Sequence, residues 1–265
     1  MRKLLVACVA AGLLALPAAP ALGQNPPHAW SANIGLFSDY LFRGISQTSG
    51  GPAIQGGFDY SYDAGPVNLY AGTWASNISW LEDSGAYSQS NLEVDFYGGV
   101  DGKFGHSDIG YDAGIHYYYY PGSRNPGAVS ANTTEVYGAL SWKWLTAKFS
   151  YALSDYFGTR DASGASSAGT TYVEFSASYP LSTTGFEVSA HYGILDIDGN
   201  HPPGTDPGYD DWNIGAAYTV QSTVFKDTRI GAFFSDTTNV NRIVYTTEGR
   251  DWAENRFVFY VTKTF

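Results

Sequence analysis

Beyond residue 24 the chain shows no sustained 3.6-residue period; apolar and polar positions alternate instead. Over residues 91–101, Leu92, Val94, Phe96 and Val100 fall on one parity, and Glu93, Asp95, Tyr97 and Asp101 on the other. "TTEVYGALSWKW" sets Val136, Leu140 and Trp142 against Glu135, Tyr137, Ser141 and Lys143. "DWNIGAAYTV" sets Trp212, Ile214, Ala216 and Tyr218 against Asp211, Asn213, Gly215 and Thr219. A period of two predicts strands. About twelve such segments begin near Ser31, Pro52, Val67, Asn91, Ser107, Thr133, Leu145, Thr170, Phe186, Tyr209, Thr223 and Glu254. Each is close to the roughly 9–11 residues a tilted membrane strand needs.

The connections sort by length. Those at 63–66, 102–106, 144–145, 180–185 and around 221 are short. Those at 77–90, 121–132, 158–169, 196–208 and 236–251 are long and rich in Gly, Pro, Ser, Asn and Asp, the turn and loop formers. A secreted soluble β-protein has no reason to alternate loop lengths in this way. The fold class expected is all-β: a single antiparallel transmembrane β-barrel of about 12 strands, with short periplasmic turns and long extracellular loops. Closure also leaves no exposed strand edge, which lipid could not satisfy.

In this reading "SDYLFRGISQ" at 38–47 continues a strand. Tyr40 and Phe42 then face lipid near the rim, and Asp39 and Arg43 face a wet interior. Phe257, Phe259, Val261 and Phe265 share one parity of the final segment, which ends on an aromatic. That ending is the kind by which barrels are recognised for assembly, so the barrel-assembly machinery is an expected partner beside outer-membrane lipids. Lys263 breaks the apolar parity, and its stem can snorkel at the interface.

The N-terminus carries a separate message. Arg2 and Lys3, the apolar run Leu4–Leu16 and small residues at Ala19, Ala21 and Gly23 form a secretory signal peptide, 1–23, expected to be cleaved after Gly23. The barrel is then 24–265. The single cysteine, Cys8, leaves with the leader, so the mature chain offers no thiolate chemistry. The formal charge is −11, and losing Arg2 and Lys3 takes it two units further negative. That excludes nucleic acid as a partner, since phosphate binding needs the opposite sign. Aromatics at 16% exclude a disordered chain.

The motifs "SDYLFRGISQT" (38–48), "PAIQGGFDY" (52–60), "LYAGTWASNIS" (69–79), "LEVDFYGGV" (92–100), "IGYDAGIHYYYYPG" (109–122) and "EVYGALSWKWLTAKFSYALS" (135–154) resemble the TorF porin family of proteobacterial outer membranes. The similarity runs through the mature chain and is least specific from 196 to 250. It implies an outer-membrane barrel with pore activity and no settled substrate.

With lipid-facing parity assigned, the other parity gives the pore lining. Its candidates are Asp39, Arg43, Asp59, Trp74, Glu93, Asp95, Asp112, His116, Glu135, Lys143, Lys148, Glu174, Glu187, His191, Arg229 and Arg256, with Asp101, Asp211 and Asp227 on the same parity. Acids outnumber bases about two to one, which in a narrow passage favours cations. The function expected is passive diffusion of small solutes or ions, with Arg43 and nearby carboxylates as a constriction. Two alternatives stand beside it. In one, these side chains brace a plugged structural or surface-interaction barrel.

The other alternative is a barrel hydrolase. "FEVSAHYG" spaces Glu187, Ser189 and His191 at two-residue intervals, an arrangement that invites a nucleophile reading. Parity puts them inside, regular strands offer no oxyanion hole, and G-x-S-x-G is absent; no catalytic residue and no enzymatic activity is expected. In "DIDGNHPPGTDPGYDD" the sixth position from Asp196 is His201 and the twelfth Pro207, which excludes an EF-hand. Weak divalent binding by Asp196, Asp198, Asp206 and Asp210 stays open, and neither cofactor nor metal is assigned. The seven tryptophans lie mostly near predicted strand ends, as interfacial girdles require. Trp74, facing inward, is the candidate for a ring-stacking track instead.

Overall fold

The computed structural model describes residues 27–265, together with the backbone of two short strand pieces, Val9–Ala10 and Leu13–Leu14. The signal peptide, its cleavage site and Cys8 otherwise lie outside the described residues. Twelve strands form one closed antiparallel barrel. In chain order they are β1 (His28–Phe37), β2 (Ala53–Asp63), β3 (Val67–Asn77), β4 (Leu92–Lys103), β5 (Ile109–Tyr119) and β6 (Thr133–Trp142). β7 (Leu145–Ala152), β8 (Thr171–Pro180), β9 (Phe186–Asp196), β10 (Tyr209–Thr219), β11 (Thr228–Thr238) and β12 (Arg256–Thr264) follow. Each strand pairs with its neighbours in sequence, and β12 closes on β1 with Val261 opposite Leu36.

Loops 38–52, 78–91, 120–132, 153–170, 197–208 and 239–255 gather at one end, and the short turns at the other. The outward parity is apolar. Ile54, Phe58, Phe96, Ile115, Leu140, Phe149, Phe175, Ile214, Ile230, Phe257 and Phe259 are all exposed on the outer wall. A sheet that turns such a row outward and closes on itself is built for hydrocarbon, because a closed ladder satisfies backbone N–H and C=O groups internally. Trp30, Trp142 and Trp144 ring the turn end, where a girdle belongs. Trp80 and Trp252 depart from that expectation, packing inside under the loops, and Trp74 lies inside on the parity that points it there.

Register also explains an oddity of composition, 21 tyrosines alongside 31 glycines. On the inner wall Tyr70 lies opposite Gly99, Tyr97 opposite Gly72, Tyr137 opposite Gly114 and Tyr260 opposite Gly231. A Cβ at Gly72 would come within 2.5 Å of the Tyr97 ring. The missing side chain leaves room for a ring to lie flat along the wall, so each pair covers backbone and narrows the lumen together.

The loop end holds a second packing layer. One apolar cluster joins Tyr40, Leu41 and Phe42 to Trp74, Ile78, Leu81, Tyr87, Tyr118 and Tyr120. The other joins Ile45 to Tyr156, Tyr172, Leu195, Ile197, Tyr209 and Trp252. Both lie inside the barrel. At the loop end the interior therefore mixes apolar rings with buried charges such as Arg43, Glu93, Glu135 and Asp211.

Outside that layer, Asp161 ties two loops together. Its carboxylate accepts hydrogen bonds from the hydroxyl and N–H of Ser163, the N–H of Ala165 and, across the gap, the N–H of Asn200. The Ser163 hydroxyl, with the Asn200 and Ala165 amides, holds the Asp161 carboxyl well below the usual carboxylate range. A depressed carboxyl stabilises the folded loop above its ordinary value, near 4, and that contribution is lost as pH falls through the lower one. The expected result is that the Asn200 amide resonance stays put from pH 7 to about 4 and shifts only at more acid pH. In Asp161→Asn it should show no such titration.

Candidate functional site

Loop 38–52 does not extend β1. It turns into the barrel as a small hairpin, Leu41–Phe42 against Ile45–Ser46. Arg43 and Gly44 form the turn with φ of 49° and 78°, the two positive values that a tight two-residue hairpin loop requires. Here the sequence expectation fails. Tyr40 and Phe42 are buried in the lumen, not facing lipid, and Leu41 between them is buried as well. Three consecutive buried residues have no parity to follow.

The tip reaches across the barrel. A Cβ at Gly44 would meet Asp211 on β10 at 2.7 Å and Thr237 on β11 at 2.9 Å. Arg43 Nη1 and Nη2 donate to Glu135 Oε1 and Oε2 on β6 at 2.9 and 2.8 Å, a two-pronged pair. Nη1 also donates to the Tyr156 hydroxyl at 3.0 Å. The guanidinium carbon stands 4.1 Å over the Tyr172 ring, 4.9 Å from Phe42 and 5.6 Å from Tyr156. Phe42 packs edge-on against Tyr118 and Phe157. Ion pairs of this kind cost desolvation on both sides. Removing one partner alone is far worse than removing both.

At its base the hairpin is tied to the other loops. Asp39 Oδ1 accepts from the hydroxyls of Ser46 and Thr48 at 2.7 and 2.8 Å, and Arg256 Nε lies 3.6 Å from Oδ2. The Ser46 N–H donates to the Trp252 carbonyl and the Ser79 N–H to the Gln47 carbonyl. Trp252 Nε1 donates to the Ser49 hydroxyl, which donates in turn to Asp83. Tyr40 donates to Glu93 Oε1 at 3.3 Å and covers Trp74 edge-on at 5.4 Å. A ring-stacking track at Trp74 is thus capped by the hairpin.

The remaining residues predicted from parity divide between two walls. On β2–β5, Asp59 accepts from the Tyr97 hydroxyl, Asp101 from Asn68 Nδ2 and Asp112 from the Tyr70 hydroxyl, while Asp95 lies 2.9 Å from His116 Nε2. On the far side Arg229 donates to Glu187 at 2.5 Å, and Lys148 lies 3.6 Å from Glu174. Lys143 is not on this wall. It sits in the β6–β7 turn with φ of 56°, exposed, its ammonium 4.5 Å over the Trp142 ring. Asp227 is likewise in a turn, half-exposed beside Lys226. Two-residue parity cannot be carried through a turn: Lys143 lies one residue beyond β6 and Asp227 one residue before β11.

The hydrolase array does not form as spaced. His191 Nδ1 is 3.1 Å from the Ser176 hydroxyl, and Nε2 is 3.0 Å from the Tyr172 hydroxyl and 3.2 Å from Asp211 Oδ1. Ser, His and Asp do meet, through a serine on the neighbouring strand that spacing along one strand could not reveal. They sit on β8–β10, whose registers run without interruption, so the backbone N–H groups are committed to the ladder and no oxyanion hole is available. In loop 197–208, Asp206 caps the Gly208 N–H, and Asp210 just beyond accepts from Asn239 at 2.5 Å. Among the described residues no group of three His, Cys, Asp or Glu is placed to hold a metal ion.

A family model covers residues 21–265, described as a bacterial protein of unknown function, Gcw_chp. The chain belongs to that family. No curated protein matches it by sequence. Among solved structures, the COG4313 outer-membrane channel from Pseudomonas putida F1 is similar, with a TM-score of 0.53 at 10% identity, over 94% of this chain and 100% of that one. A structure from work on in-meso crystallization of membrane proteins gives 0.52 at 10% identity, over 89% and 83%. At such identities the likeness is one of fold. With the apolar outer wall and the closed sheet, the fold makes this Gcw_chp chain a transmembrane β-barrel of the Gram-negative outer membrane.

Proposed function

We propose that this Gcw_chp barrel is a gated channel for small solutes, with its loops outside the cell and the 38–52 hairpin as the gate. One observation carries the reading: the hairpin crosses a lumen whose walls carry many charged and polar side chains, and side chains hold its tip there. A structural barrel would need no polar wall beneath its plug. The resemblance to the TorF porin family supports the same reading, and nothing in the arrangement calls for a covalent step.

Charge suggests the preference. Asp59, Glu93, Asp95 and Asp101 are held by tyrosine, asparagine and histidine, whereas Glu135, Glu174 and Glu187 face arginine or lysine. The β2–β5 wall thus sets carboxyl groups beside tyrosine, asparagine and histidine instead of a fixed cation, and in their ionised form they make a narrow passage favour cations.

The test is planar-bilayer conductance under a salt gradient, comparing the refolded mature protein with a variant in which residues 41–46 are replaced by two glycines. The expected result is small or rare steps from the first and larger, sustained, cation-favouring steps from the second. Silence from a hairpin-deleted barrel shown to be folded would overturn the channel reading in favour of a structural barrel.

A further inference from the structure

The surroundings of the Arg43 head group form a binding site in their own right, and this deepens the gated-channel reading. Apart from Phe42, its neighbour in the hairpin, every group that touches the guanidinium belongs to the barrel or to another loop. Glu135 on β6 offers both oxygens in one plane. Tyr118 on β5 donates to Glu135 Oε2 at 3.3 Å and orients it. Tyr172 on β8 gives a flat face at 4.1 Å, and Tyr156 from loop 153–170 gives a hydroxyl acceptor at 3.0 Å. A carboxylate fork, an aromatic face and a third acceptor together match a planar guanidinium and no other common cation. An ammonium is compact, more strongly hydrated and unable to bond both oxygens in parallel. The aromatic face adds cation–π attraction once water is excluded.

We infer that Glu135, Tyr156 and Tyr172 form a guanidinium-binding site on the channel wall which Arg43 occupies from within. Withdrawing the hairpin breaks the two-pronged Arg43–Glu135 pair, and an incoming guanidinium-bearing cation restores those hydrogen bonds in its place. The channel's own gate therefore competes with its solute. Such solutes open the gate by taking the place of Arg43, and other cations do not. Because Arg43 is tethered at high effective concentration, free ligand binds the intact protein more weakly than a protein lacking that side chain.

Binding can be read without any conductance, which separates this inference from the channel reading. In detergent, ethylguanidinium at millimolar concentration is expected to raise the melting temperature of Arg43→Ala. Ethylammonium should match it only at concentrations on the order of tenfold higher, the scale of one charge-assisted hydrogen bond. Intact protein should respond more weakly than Arg43→Ala, and Arg43→Ala/Glu135→Gln not at all. Arg43→Met, which keeps much of the stem's volume, serves if the alanine variant fails to fold. Free arginine and an arginine-containing tripeptide distinguish a small solute from a peptide as the source of the group. Equal responses to the two cations, or a response that survives Glu135→Gln, would sink the site. If ethylguanidinium binds as described while every folded variant is silent in a bilayer, the site stands and the channel reading fails.

Discussion

Arg43→Ala is expected to destabilise the closed hairpin by about 3–5 kcal/mol, the usual cost of leaving one member of a buried ion pair alone. Arg43 and Glu135 are both almost fully buried, with side chains 4% exposed each. The loss is confined to the hairpin, because the twelve-strand ladder does not depend on the pair. If the hairpin swings out, water reaches Glu135 and the penalty ends there. Conductance should therefore rise sharply while the barrel stays folded, as its heat-modifiable migration on gels will report. Glu135→Ala should behave alike, stranding the guanidinium instead. Arg43→Met/Glu135→Leu removes both charges and keeps much of the volume, so it should recover most of the closed state. A double variant as open as either single one would show that the pair does not hold the gate.

Phe42→Ala is the second large effect, with a loss of about 3–5 kcal/mol for a buried aromatic truncated to alanine. Phe42 packs between Tyr118 and Phe157 and backs the Arg43 guanidinium. Its removal therefore opens a cavity and weakens the ion pair's apolar surroundings together. The expected readout is a higher open probability with unchanged ion selectivity, since Phe42 carries no charge. Phe42→Leu, keeping part of the volume, should fall between. Unchanged gating in Phe42→Ala would mean that the apolar layer at the loop end contributes nothing to closure.

Much of the barrel was written in the alternation itself. Ten of the twelve predicted starts fall within two residues of the observed ones, from Val67 and Thr133 to Phe186 and Tyr209, which coincide. The larger misses, Ser31 for His28 and Thr223 for Thr228, lie at the first strand and at the 220–227 turn, where flanking residues mimic the pattern. Wall parity was equally legible, since a strand with lipid on one side and polar groups on the other must alternate. It put Glu93, Asp95, His116, Glu135, Glu174 and Arg229 on the parity that the structure turns inward. Lys143 was misplaced because parity ends where the backbone turns.

The hairpin was the important miss, and its signals were present. Residues 31–51 are too many for one membrane strand, and "YLF" breaks the alternation with three apolar residues together. What hid it was reading 38–47 as a strand between lipid and a wet interior, which sends Tyr40 and Phe42 outward.

The sequence by itself determined the sheet, its closure, its two chemical faces and the sorting of its loops, because period and length are local properties that backbone hydrogen bonding converts directly into strands. Only the tertiary structure decided what fills the lumen. The meeting of Arg43 with Glu135 spans 92 residues, the hold of Trp252 on Ser49 spans 203, and Tyr70 finds Gly99 only through register. Those contacts depend on how the barrel curves round to bring distant strands face to face, and no pattern along the chain encodes that distance.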